Sequence, residues 1–147
     1  MNISDNGIAF IEVQEGKRLQ IYPDTEGNPT IGCGHLIKDG EDFSVGITDE
    51  QCIDLLRADL SIAENAVNKY IAYPMTQNMF DAMVSLCFNI GASNFFNSSV
   101  HRFLNDGQIE DAAEAFLLWD KQTINGQKVA SKALLARRQR EMDLFLS

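Results

Sequence analysis

The sequence predicts a predominantly helical α+β fold, and three observations carry that expectation. After Thr48, apolar residues recur every three or four positions almost to the C-terminus, which is the period of amphipathic helices. Before Thr48, two short strand-like runs flank the turn-forming stretch Pro23-Asp-Thr-Glu-Gly-Asn-Pro29, the pattern of a hairpin. At 147 residues, with 45% hydrophobic and 22% charged, the chain suits one compact domain or two small lobes sharing a core.

The elements follow in order. Ile8 and Ile11, with Gln14 or Glu15 next in register, lie along one side of a short first helix that Gly16 ends. Arg18–Tyr22 and Thr30–Ile37 are the two arms of the hairpin, Asp39-Gly40 marks another turn, and a third strand fits before Thr48. No other β structure is expected. Thr48-Asp-Glu-Gln51 is a capping box, in which hydroxyl and amide satisfy each other's exposed N–H groups. Ile53, Leu56, Leu60, Ala63, Val67 and Ile71 then continue one long helix, ended by Pro74. Phe80, Met83, Val84, Cys87 and Phe88 belong to a helix that is apolar all round, hence the buried central one, closed by Gly91. Ser98–Asn105, Ile109–Lys121 and Ser131–Leu146 complete the helices. The organisation is a single domain over 1–147: an N-terminal helix-and-hairpin lobe of about 12–50, a connecting helix of about 49–72, and a helical C-terminal lobe of about 74–147 on which the first helix packs. A cleft between two such lobes is a usual place for a substrate.

Net charge is −9, and this acidity argues against a nucleic-acid partner, whose phosphates would be repelled. The charge is uneven: Gly126–Ser147 holds five basic residues against two acidic, a local +3 that leaves −12 elsewhere. That basic segment is the expected source of local attraction to an anionic substrate. No apolar run approaches the roughly 20 residues needed to span a bilayer, and Met1–Phe10 has neither basic start nor apolar core, so no export signal or membrane insertion is expected. Cys33, Cys52 and Cys87, an odd number without CxxC pairing, read as reduced and buried thiols. With only His35 and His101 beside them and no ligand spacing, no metal is expected.

The stretch from Glu15 to Thr30 holds the candidate chemistry. Cleaving a glycosidic bond without a cofactor needs one acid to protonate the leaving oxygen and an opposed polar group to manage water or developing positive charge. Glu15 ends the first helix, where the negative end of the helix dipole favours the protonated acid. Asp24 lies in a polar turn whose N–H groups keep a carboxylate ionised, and the Thr30 hydroxyl can hold a water between itself and Asp24.

Glu, eight residues, Asp, five residues, Thr is the spacing at Glu15, Asp24 and Thr30. The blocks Glu-Gly-Lys-Arg-Leu (15–19), Ile-Tyr-Pro-Asp-Thr (21–25) and Pro-Thr-Ile-Gly-Cys-Gly-His (29–35) surround it. Phe80–Gly91, Asp111–Trp119 and Leu134–Phe145 follow in order. Together they resemble the phage-type lysozymes of glycoside hydrolase family 24, in particular the shorter endolysins of lambdoid phages, over nearly the whole chain. The resemblance implies a lysozyme-like fold and a muramidase that hydrolyses, with inversion, the β-1,4 bond between N-acetylmuramic acid and N-acetylglucosamine of peptidoglycan for host cell lysis. It implies Glu15, Asp24 and Thr30 as the catalytic set. It also implies Arg137 close to Glu15, with Phe88, Leu36 and Ser99 as substrate-binding or supporting residues. No cofactor is implied. A monomer is expected, made in the host cytoplasm and needing a holin to reach the cell wall. Of the remaining candidates, His35 reads as a structural hydrogen-bonding residue, His101 as a surface residue and Trp119 as core. Arg138 and Arg140 read as solvated helix charges, and Gly32 and Gly34 as positions of close backbone approach in the hairpin.

Overall fold

The computed structural model describes all residues, Met1–Ser147, and the chain forms two compact units: Ile8–Ser61, and Met1–Gly7 together with Ile62–Ser147. Helices α1 (Asp5–Glu15) and α2 (Asp49–Tyr70) each contribute residues to both.

In the unit Ile8–Ser61, α1 stops at Gly16, whose φ of +77° cannot continue a right-handed helix. A three-stranded antiparallel sheet follows, ordered β1 (Arg18–Pro23), β2 (Pro29–Gly32), β3 (His35–Leu36). The expected second arm, Thr30–Ile37, is therefore two strands and not one. Gly32 (φ 69°) and Gly34 (φ 81°) occupy the left-handed region and fold the chain back at Cys33, so that Ile31 pairs with His35. The strand expected before Thr48 is absent; turns occupy that stretch instead. The capping box forms as read from sequence: Thr48 N–H donates to Gln51 Oε1 (2.9 Å) and Gln51 N–H to Thr48 Oγ1 (3.1 Å). Ile11, Ile31, Cys52, Leu56 and Leu60 are fully buried and make the core of this unit.

In the second unit α2 ends at Tyr70, four residues before Pro74, because Asn105 takes over its last polar groups. The Asn105 amide donates to Tyr70 O (2.9 Å) and its Oδ1 accepts from Ala72 N–H (2.8 Å). α3 (Gln77–Ile90), capped by Thr76 and ended by Gly91, is buried without a break from Met79 to Cys87 and packs on α7 (Lys132–Leu146). α4 (Ala92–Phe96), too short for periodicity to reveal, precedes α5 (Ser99–Asn105) and α6 (Ile109–Ala115). The helix expected to reach Lys121 instead tightens into a 3-10 turn at Phe116–Leu118 and gives way to an unanticipated hairpin, β4 (Lys121–Ile124) and β5 (Gln127–Ala130). Its turn residues, Asn125 (φ 51°) and Gly126 (φ 80°), are both left-handed, the geometry that matches the twist of a two-residue hairpin.

Two buried polar groups organise α3 and α7. Asp81 accepts from Ser4 N–H (3.1 Å), from the Ser4 hydroxyl and from the Gln77 amide (2.8 Å). Glu141, with no exposed surface, pairs with Arg138 (3.0 Å) and Arg137 (3.3 Å) and accepts from the Ser85 hydroxyl. Arg138 is thus completely buried, not a solvated helix charge as expected; helical spacing brings Glu141 within reach three residues on but does not reveal that the pair faces inward. Burial pushes the Glu141 carboxyl up, prevailing over Arg138, Ser85 and Arg137, which pull it down. The cluster therefore costs desolvation to assemble, and losing one member costs more.

Two outcomes are expected. Glu141→Gln removes the buried carboxylate that Arg137 and Arg138 share and lowers the unfolding free energy in urea by about 3–5 kcal/mol; a loss below about 1 kcal/mol would mean the pairs are not structural. Gly7→Ala, which in an open helix gains about 1 kcal/mol, here destabilises, because its Cβ would lie 2.6 Å from both Asp81 Cγ and Ile3 Cγ1. An unchanged or raised melting temperature would contradict that reading.

Candidate active site

Glu15 is the last residue of α1, placed there because Gly16 breaks the helix immediately after it. It is half-buried, and its Oε2 lies 3.7 Å from where a Cβ at Gly34 would stand, so the glycine at the β2–β3 turn leaves clearance beside the acid.

The β1–β2 connection, five residues from Asp24 to Asn28, is built around one carboxylate. Asp24 Oδ1 accepts the backbone N–H of Asn28 (2.8 Å) and of Glu26 (2.9 Å), while its own N–H donates to Asn28 O (2.9 Å). The Asn28 N–H, opposed by burial and helped by the Glu26 N–H, holds the Asp24 carboxyl below its ordinary value. Thr30, 2% exposed at the start of β2, donates its hydroxyl proton to Asn28 O (2.9 Å). Its oxygen lone pairs are therefore left as acceptors.

Tyr22, unremarked in the sequence reading, pairs with Thr30 across β1 and β2. Burial raises its phenol first; Arg18, stacked 4.8 Å over the ring, pulls it down, and Glu15, Cys33 and Asp24 push it up. Both candidate carboxylates are therefore within electrostatic reach of one phenol. The signal available in sequence was its place between them, two residues before Asp24 and aromatic. Leu36 pairs with Thr30 from β3 and is 52% exposed. Glu15, Tyr22, Asp24, Thr30 and Leu36 thus share one unit.

Phe88, Ser99 and Arg137 belong to the other. Phe88 is half-buried on α3, and the Ser99 hydroxyl accepts from Arg102 Nη2 (3.0 Å). Arg137 is buried rather than solvated, with Nε on Glu141 Oε2 and Nη2 3.5 Å from Ser85 O. Two of the five cations in the basic C-terminal segment are therefore turned inward toward Glu141, and the segment offers less surface charge than its count suggests.

The other candidates sort by burial. His35 is 5% exposed, with Nδ1 2.8 Å from Asp59 Oδ2 and Nε2 3.0 Å from Glu41 Oε1, the structural role expected of it. His101 is not a free surface residue: Nδ1 lies 2.7 Å from Phe96 O and the ring packs among Tyr70 and Phe96. Trp119 is half-exposed and lines a cavity instead of joining the core, because the 3-10 turn before it rotates it off the helical stripe. Cys33, Cys52 and Cys87 are free and buried, with the Cys33 and Cys52 sulfurs 3.5 Å apart. No three His, Cys, Asp or Glu side chains are grouped to hold a metal ion.

Burial alone would lower the His35 imidazole, but its hydrogen bonds to Asp59 and Glu41 outweigh that and raise it. A histidine raised in the folded state contributes its stability fully below the unfolded value, about 6.5, and loses it as pH rises through the folded value. Urea denaturation should therefore show unfolding free energy falling above about pH 6.5, with His35→Gln flattening that slope; equal slopes would place the pH dependence elsewhere.

The phage lysozyme family profile matches residues 12–141. The chain is 45% identical to an endolysin of Salmonella phage P22, covering 100% of this chain and 99% of that protein. Among solved structures it resembles an endolysin from Escherichia coli O157:H7 phage FAHEc1 (TM-score 0.95, 40% identity, covering 100% of this chain and 94% of that one). It also resembles the muramidase domain of SpmX from Asticaccaulis excentricus (TM-score 0.89, 39% identity, 99% and 98% covered).

Proposed function

The chain belongs to the phage lysozyme family, and from that membership we propose that Glu15, Asp24 and Thr30 carry its chemistry. It is a lysozyme-type glycoside hydrolase, an endolysin that acts as a muramidase on bacterial peptidoglycan in host lysis. The observation supporting the residue assignment is the Asp24 turn, where one hydrogen-bonded loop keeps a carboxylate charged and takes the Thr30 hydroxyl proton on its own Asn28 carbonyl.

In this reading Glu15 gives its proton to the glycosidic oxygen as the bond to the anomeric carbon breaks. A water donates one hydrogen to Thr30 Oγ1, whose own proton is committed to Asn28 O, and the other to Asp24. Its lone pair then faces the anomeric carbon from the side opposite the leaving group, and its proton passes to Asp24 as the new bond forms. Attack from that side inverts the centre, as expected where the carboxyls stand roughly 6.5–9.5 Å apart. Leu36, Phe88 and Ser99 are assigned to substrate contacts. No helix is long and apolar enough to cross a membrane, and delivery from the host cytoplasm to the wall is assigned to a separate holin. The working unit is assigned as a monomer.

Turbidity loss of outer-membrane-permeabilised cells tests the acid: Glu15→Gln should fall by roughly 10²–10⁴-fold with its melting temperature retained, and an equal rate would remove the assignment. Digestion of sacculi should yield reducing N-acetylmuramic acid ends, first appearing in the α configuration by NMR. Anhydro ends would instead mean a transglycosylase, and β ends retention.

A further inference from the structure

Two of the three cysteines are placed for each other. Cys33 stands at the β2–β3 turn and Cys52 in the first turn of α2, with sulfurs 3.5 Å apart across 19 residues of sequence. Both belong to the unit Ile8–Ser61, whereas Cys87 is on α3 in the other. An S–H is a weak donor and a sulfur a weak acceptor, so this contact holds the pair together far less firmly than a bond would. Burial first, then the Cys52 sulfur, push the Cys33 thiol up, and in a reducing medium it stays protonated.

The surroundings leave room for the sulfurs to close. A disulfide sets them about 2.05 Å apart, a movement of about 1.5 Å from the present contact. Cys33 lies between Gly32 (φ 69°) and Gly34 (φ 81°), so neither neighbour carries a side chain that must give way as Cys33 turns. A Cβ built at Gly32 would meet the Cys52 sulfur at 3.4 Å, so the glycine keeps that approach open. Cys52 supplies the fixed side of the pair. Its N–H donates to Thr48 O (2.9 Å), directly behind the capping box that anchors the start of α2.

What lies between the two cysteines gives the pair its consequence. Residues 37–48 form no helix or strand and connect β3 to α2 through turns alone. They are held chiefly by single bonds, from Lys38 N–H and His35 to Glu41 and from Ile47 N–H to Leu19 O (2.9 Å). A covalent tie across their two ends would remove conformations from the unfolded chain and leave the folded one in place.

We propose that Cys33 and Cys52 form an oxidation site, at which a peroxide converts the two thiols into a disulfide that staples the β2–β3 turn to the start of α2. Cys33, at 3% exposure against 0% for Cys52, is the sulfur that meets the oxidant. It attacks one peroxide oxygen, the O–O bond breaks, and the released hydroxide leaves with the thiol proton as water, giving a sulfenic acid. The Cys52 sulfur then attacks the sulfenic sulfur, forming the S–S bond, while the hydroxyl departs with the Cys52 proton as a second water. Two thiols lose two electrons and one peroxide gains them. With Cys52 already in contact, the sulfenic acid is captured before it can oxidise further. The staple reinforces the unit that carries Glu15, Asp24 and Thr30 in an oxidising medium, and it rests on the thiol pair, not on the catalytic assignment.

Hydrogen peroxide treatment, followed by denaturation, alkylation and intact-mass measurement, tests the site. Wild type should lose two hydrogens and take up one alkyl group, at Cys87, and a tryptic digest should link peptides 19–38 and 39–57. Dithiothreitol should restore three alkylatable thiols, and the bonded form should melt about 5–10 °C above this reduced control. Cys87→Ala should behave as wild type. Cys52→Ala should form no link and should instead carry a dimedone adduct on Cys33, which reports the sulfenic acid whatever the variant's stability. Three free thiols after peroxide, a link through Cys87, or sulfinic acid at Cys33 in place of the bond overturns the site. Absence of the dimedone adduct overturns the order of attack, and a bonded form that melts no higher than the reduced one overturns the staple.

Discussion

The Asp24 carboxylate accepts two backbone N–H groups of its own turn while Thr30 donates to a carbonyl of the same turn, and these bonds do three things together. They close the five-residue connection between β1 and β2, they keep the acid ionised, and they fix which atom of the Thr30 hydroxyl is available to a water. A loop with free side chains would leave each of these to chance. Here the conformation of the loop and the charge state of its acid are one constraint, because the N–H groups that shape the turn also favour the anion.

Glu15 is held by a different device, a helix terminated by a glycine in the left-handed region, and the glycine at the facing strand turn keeps space beside its carboxylate. The two acids therefore owe their positions to backbone geometry: one to where a helix must stop, the other to where a strand must reverse. Tyr22 joins them electrostatically because alternation along β1 puts it across from Thr30.

The acidic composition misleads about where charge acts. Glu141 draws Arg137 and Arg138 inward, and Asp59 with Glu41 clamps His35. What remains outward in the helical unit includes the hairpin lysines, Lys121 and Lys128. The distribution of charge over surface and interior, more than its sum, sets what kind of ligand each region can hold.

Local chemistry was legible from the amino acids alone. The Thr48–Gln51 box and the stops at Gly16 and Gly91 each involve groups within a few residues of one another, so spacing suffices to recognise them. The Glu15–Asp24–Thr30 spacing belongs to the same class, since helix end, turn and strand start follow in one short stretch. The β4–β5 hairpin also had a local signal, Asn125-Gly126 directly after the β-branched Thr123 and Ile124, which the preceding helical pattern obscured. Burial of Arg138 had none, because its partners on α3 and one turn along α7 meet only when the helices pack. The same holds for Asn105 closing the end of α2 and for the cavity around Trp119. Periodicity tells which face of an element turns inward; it does not tell what stands opposite that face, and for buried charges and cavities the opposite wall decides the outcome.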